Sequence, residues 1–258
     1  MALNSIDIFE DEQIGGVITG FPKLDQTLGF LQPGIVLLKG KSGSGKTSFS
    51  LQAGLQSTAS CLFITAEQSE KALIKRLIAR MARISLSAIT NKAVAKEDLE
   101  AGLRHVTENT PFLHFEEALH GAPSLAYIKN LIHEVRERDG SPNTLVCIDS
   151  IDDFLIQSKN NYEGFSTAEL AKKLALMLND LAKDEKVTFL LTLQQKVDKT
   201  VEDIFTYAAE TVLEIAFDKE GRENAAGIKK SKISVTKNRA GALKTLFLDF
   251  EGEFQNFS

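Results

Sequence analysis

A chain of 258 residues, 43% hydrophobic and 25% charged, is long enough to bury a large core and too apolar to remain disordered. Its net charge of −5 provides no overall field to draw in a polyanion, so contact with nucleic acid requires a local basic site. The amino end "MALNSIDIFEDEQIGG" lacks a basic start followed by an apolar core, and no run approaches the ~18 apolar residues that span a bilayer. A soluble, cytoplasmic chain without membrane contact is expected.

Residues 1–18 read as a polar, acidic segment and residues 19–258 as one domain. "TGFPKLDQTLGFLQPG" supplies a short amphipathic stretch that ends at Pro33 and Gly34. Strand-like runs then alternate with helical ones. "IVLLKG" precedes a helix from Lys46 to Gln56; "CLFITA" precedes "SEKALIKRLIARMARI"; "FLHFE" precedes "SLAYIKNLIHEVRER"; "TLVCIDSI" precedes a helix from Thr167 to Asp184; and "VTFLLTLQ" follows. In the Thr167–Asp184 stretch, Leu170, Leu174, Leu178 and Leu181 share one face. Such alternation predicts an α/β fold built from right-handed β-α-β crossovers, with a mostly parallel twisted sheet and helices on both faces. "TVLEIAF", "KISVTKN" and "LKTLFLDF" follow one another without helices, which predicts an antiparallel C-terminal extension. Cys61 and Cys147 lie inside apolar runs and read as core residues, and the cysteines and histidines lack zinc-site spacing.

"GKSGSGKT", Gly40 to Thr47, fits G-x-x-x-x-G-K-[ST] between a strand and a helix. In this loop Gly40, Lys41, Ser42, Gly43, Ser44 and Gly45 turn successive N–H groups into one concavity, where the helix dipole adds positive charge. Lys46 reaches the β- and γ-phosphates of a nucleotide such as ATP, and the Thr47 hydroxyl ligates Mg²⁺. Asp149, at the end of "TLVCID", supplies the acidic group near that metal. Asp152 and Asp153 fall past the strand and read as solvated loop charges. Glu67, after "CLFITA", is preferred over Glu70 as the base that activates water, because a strand end beside the phosphate-loop strand points into the site. Gln194 or Gln195, at the end of "VTFLLTLQQ", is placed to sense the γ-phosphate.

"TGFPKLDQTLGFLQPG", "GKSGSGKT", "LFITAEQS", "CIDSI", "ETVLEI" and "VTKNRAG", in this order, resemble the RecA-like ATPases, in the branch holding DnaB-type replicative helicases, RadA proteins and KaiC-like ATPases. The resemblance spans residues 19–258 and implies a RecA-like three-layer fold, with Glu67 as catalytic glutamate and Asp149 as the Walker B aspartate. Read alone, Lys237 and Arg239 are solvated hairpin residues. The resemblance makes them a basic pair that reaches the nucleotide of a neighbouring subunit, and so implies a homo-oligomeric ring or filament with ATP at its interfaces. It also makes "SKNNYEGFS" and "KVDKTVEDIF" channel-facing loops that offer Lys159, Tyr162, Lys196 and Lys199 to single-stranded DNA. Ala240 stands where the RadA proteins usually carry an aromatic. The resemblance thus implies a Mg-dependent motor core acting on DNA in replication, recombination or repair. The alternative is a KaiC-like regulatory ATPase that switches a protein assembly without touching DNA.

Overall fold

Adjacent residues of the first strand, β1 (Gly34–Gly40), point into different cores: Ile35 and Leu37 join one apolar cluster, Val36 and Leu38 the other. A strand covered on both faces has this pattern, and it explains why the run is continuously apolar. The computed structural model describes residues 16–195, 198–218, 224 and 227–258. Within them β1 is followed by β2 (Ser60–Thr65), β3 (Leu113–Glu117), β4 (Thr144–Asp149), β5 (Thr188–Gln194), β6 (Thr211–Phe217), β7 (Ile228–Asn238), β8 (Thr245–Glu251) and β9 (Asn256–Phe257). These strands form a nine-stranded sheet in the order β3-β2-β4-β5-β1-β6-β7-β8-β9. Pairings from β3 through β6 are parallel, whereas β6 to β9 meander antiparallel.

On one face lie α1 (Pro22–Leu28), α2 (Lys46–Gln56), α3 (Glu70–Met81) and α5 (Lys96–Asn109), joined to α3 through the short α4 (Leu86–Thr90). The other face is covered by α6 (Leu125–Asp139), α7 (Ile151–Ser158), α8 (Thr167–Asp184) and α9 (Lys199–Ala208). Helix α8 has the bounds that its periodicity predicts. Ser166 and Glu169 close a capping box at its start, and the leucine stripe Leu170, Leu174, Leu178, Leu181 is buried. Cys61 and Cys147 are fully buried with their sulfurs 4.0 Å apart. Val17 is buried and bridges to Leu31, so packed structure already includes it; residues 1–15 lie outside the described residues.

Two expectations are corrected. "KVDKTVEDIF" is not a loop beyond its first residues: Asp198 caps α9 by accepting from the Thr200 and Val201 N–H groups, and Val201 and Phe205 anchor the helix in the core. Lys196 lies outside the described residues. Asp152 and Asp153 are not solvated loop charges. Ser150 caps α7, which places both in its first turn and half-buried, and Asp152 Oδ2 accepts from the Gln194 N–H at 2.8 Å.

Leu178 is fully buried at the centre of the α8 stripe. Leu178→Ala is expected to destabilise the fold by about 2–5 kcal/mol, read from denaturant unfolding.

Candidate active site

Strand register brings the site together. Gly40 at the end of β1 pairs with Gln194 at the end of β5, and Thr65 at the end of β2 pairs with Asp149 at the end of β4. The pairing of β4 with β5 sets Ile148 opposite Leu191, so β1 and β5 run about two residues beyond the ends of β2 and β4 at the same carboxyl edge of the parallel sheet, where a crevice for ligands opens. The phosphate loop leaves β1 here. Gly40 is irreplaceable for space, because a Cβ would lie 2.5 Å from the Ile215 carbonyl oxygen. Gly45 caps α2 in the left-handed region, φ 92°, which turns the chain into the helix. The free N–H groups of the first α2 turn then face the cavity.

That cavity has a volume of about 340 Å³ and is lined by Ser42 through Ser48, Glu67, Gln68, Arg76, Gln194, Phe250 and Gln255. Lys46 is nearly buried, with Nζ donating to the Gly40 and Lys41 carbonyls at 2.9 and 3.1 Å. Burial lowers its pKa, against the pull of Asp149, Glu67 and Asp152.

Asp149 is 1% exposed. Its Oδ1 accepts from the Thr192 hydroxyl at 2.5 Å, and its backbone oxygen accepts from the Ala66 and Glu67 N–H groups at 2.8 and 3.3 Å. Burial raises the pKa of this carboxyl, while the Thr192 and Thr47 hydroxyls and the charges of Lys46 and Arg76 oppose the rise. Oδ2 is buried with no hydrogen bond of good geometry, and the Thr47 hydroxyl is near enough to bias its titration. A buried carboxylate oxygen left open beside a hydroxyl is the donor set that Mg²⁺ and its waters suit.

Glu67 sits two residues past β2, exposed to solvent at the cavity, with Gln68 beside it. Glu70 begins α3 instead, where its N–H donates to Glu117 Oε1 at 2.6 Å, and it faces a separate depression with His114 and Glu134. Gln194 lines the cavity; Gln195 is tied by its N–H to the Gly40 carbonyl at 3.1 Å. Lys237 and Arg239 do not line it. Lys237 Nζ donates to the Thr206 and Tyr207 carbonyls at the end of α9, at 3.0 and 2.8 Å, and Arg239 pairs with Glu210 at 2.9 Å.

Sequence reasoning missed Arg76 and Gln255. Arg76 Nη1 donates to Gln255 Oε1 and to the Ser48 hydroxyl, while Nε and Nη2 donate to Gln68 Oε1 at 3.3 and 3.1 Å. A partial signal was present in α3, where Arg76 and Arg80 stand four residues apart on one helix face. Gln255 had none, because its place depends on the last turn of the chain.

The fold and the crevice together define a P-loop ATPase of the RecA-like class. Solved structures bear out that architecture. The chain is similar to the ATPase domain of G40P, with TM-score 0.77 and 19% identity over 96% of this chain and 93% of that one. A DnaB-like replicative helicase, described with its interactions with primase, matches with TM-score 0.76 and 20% identity over 96% of this chain, which spans 63% of the helicase. A KaiC-like protein from the hyperthermophilic archaeon Pyrococcus horikoshii OT3 matches with TM-score 0.59 and 19% identity, covering 94% and 97% of the two chains. Among curated proteins none matches in sequence. The model of the DnaB-like helicase C-terminal domain matches residues 16–204, and the chain belongs to that family. Membership implies an ATP-hydrolysing enzyme. Among the described residues no helix is long and apolar enough to cross a membrane.

Desolvation raises the Glu67 pKa, reinforced by Asp149 and Asp153 and opposed by Lys46 and Arg76. If ionised Glu67 activates water, turnover should fall with decreasing pH through a limb above the ordinary carboxylate value of about 4.3. Glu67→Gln should bind ATP and fail to turn it over, as checked by steady-state rates and nucleotide binding across pH.

Proposed function

We propose that the chain is a Mg-dependent motor ATPase of the DnaB type that binds single-stranded DNA and couples hydrolysis to translocation or remodelling, in replication, recombination or repair. The observation that carries this reading is the strand register, which brings Lys46, Thr47, Glu67 and Gln194 to one cavity and sets the buried Asp149, its Oδ2 left open, beside Thr47 and Lys46. In this reading the loop N–H groups and Lys46 hold the phosphates. Thr47 and Asp149 would hold Mg²⁺, which neutralises charge on the β- and γ-phosphate oxygens when bound. Glu67 takes the proton of the attacking water, and the Gln194 amide faces the γ-phosphate. Asp152 links that amide's strand end to α7 through its bond to the Gln194 N–H, so a shift at Gln194 is felt at the start of the α7–α8 segment.

Lys237 and Arg239 act on a neighbouring copy's nucleotide in this reading. Their support is position: both project away from their own cavity, and Arg239 borders a groove with exposed Leu176 and Tyr207 between α8 and α9. A ring or filament would bury that groove and complete each site with a cation from the next subunit.

The DNA contact rests on Lys159 and Lys199. Tyr162 contributes less than its sequence suggests, because its ring packs edge-on against Phe165 with Lys173 over it. That observation, with the net charge of −5, favours the second reading, a KaiC-like ATPase whose cycle switches a protein assembly.

Addition of single-stranded DNA is expected to raise ATP turnover, with binding that weakens as salt rises. An unchanged rate and no salt-sensitive binding would leave the regulatory reading. Arg239→Ala chains and Glu67→Gln chains, each inactive alone, are expected to regain part of their turnover when mixed; no recovery with assembly intact would place the whole site within one chain.

A further inference from the structure

The last residues of the chain reach back to the phosphate loop. After β8 the chain makes a one-turn 3₁₀ helix, Gly252–Phe254, and Gln255 adopts the left-handed conformation at φ 55°, ψ 35° before β9. This conformation is uncommon for any residue but glycine and asparagine, and it turns the Gln255 side chain inward, leaving the residue 9% exposed. Its Oε1 accepts from the Ser48 hydroxyl at 2.6 Å and from Arg76 Nη1, and its Nε2 donates to the Gly252 carbonyl. Every polar atom of the amide is thus used, and because arginine only donates, the oxygen must face Arg76.

The turn itself is held by other groups. Gln52 clamps the Phe257 backbone from both sides, Nε2 to oxygen and Oε1 to N–H, each at 2.9 Å. Phe257 packs among Phe21, Phe49 and Phe250, and Arg80 donates to the Gln255 carbonyl and to Asn256. The Gln255 side chain is therefore not what keeps the turn closed. What it does is meet Arg76 from one side while Gln68 meets it from the other.

Both acceptors are neutral amide oxygens. A carboxylate in either place would fix the guanidinium and cancel its charge, beside the Glu67 and Asp149 carboxyls that already act on it. Two amides fix the orientation and leave the charge available to an anion in the cavity that Arg76 lines. We propose that Gln255 is a positioning residue for ATP turnover: it holds the Arg76 guanidinium toward the γ-phosphate, so that the carboxy-terminal turn sets the geometry of the phosphate site. The inference rests on the ATPase reading above.

The test uses the full chain in its assembled state. Gln255→Ala removes the amide; Gln255→Asn keeps a residue at ease in the left-handed region but falls one methylene short of Ser48 and Arg76. Both are expected to lower kcat about tenfold or more, with ADP affinity within about twofold of the unaltered chain and the unfolding midpoint unchanged. In an Arg76→Ala background neither should lower kcat further, since the group they position is gone. Losses that multiply across the two backgrounds, a matching loss of ADP affinity, or a lowered midpoint in both variants would each overturn the proposal and leave Gln255 a structural residue. Absence of ATP turnover in the unaltered chain is a separate readout and would overturn the ATPase reading itself.

Discussion

Asp149 is the constraint on which the rest of the site depends. It is a buried carboxylate, and burial alone would push it toward the neutral form. What opposes that is local: the Thr192 hydroxyl from β5, the Thr47 hydroxyl from α2, and the charges of Lys46 and Arg76. The same residue's backbone oxygen takes the N–H groups of Ala66 and Glu67 and so fixes where the chain leaves β2. One residue thus ties together the ends of β2, β4 and β5 and the start of α2. Its Oδ2 remains without a hydrogen bond of good geometry, in the neighbourhood of the Thr47 hydroxyl and Lys46.

The antiparallel extension serves this site although it lies on the far side of the sheet from Asp149. Strands β6 to β9 carry the chain back over α2, where Phe257 approaches within 2.9 Å of a Cβ position at Gly45, and where Gln52, Arg76 and Arg80 bind the final turn. The phosphate-loop helix is therefore packed on two sides, by the parallel sheet beneath it and by the carboxy-terminal turn against its flank. A loop that must present N–H groups to phosphate without reorganising gains from such support.

Much of the parallel core was legible because its signals are local. Helix α8 carries its own capping box and leucine stripe, and β1, β2, β4 and β5 are apolar runs that end at turns or caps. Asp152 and α9 were misread for different reasons. A half-buried carboxylate with a backbone partner on another strand looks, in sequence, like a loop charge, whereas the α9 stretch was expected to be a loop from the family resemblance and is a ten-residue helix begun by an aspartate cap.

The sequence by itself determined the α/β alternation, the phosphate loop from Gly40 to Thr47, and the order in which Glu67, Asp149 and Gln194 follow strands, because periodicity and motif spacing act over a few residues. Tertiary structure alone decided that Gln194 lines the cavity while the Gln195 N–H is tied to Gly40, and that Arg76 meets Gln255. Those choices depend on strand register and on contacts between residues as far apart as 179 positions, where no local pattern carries information.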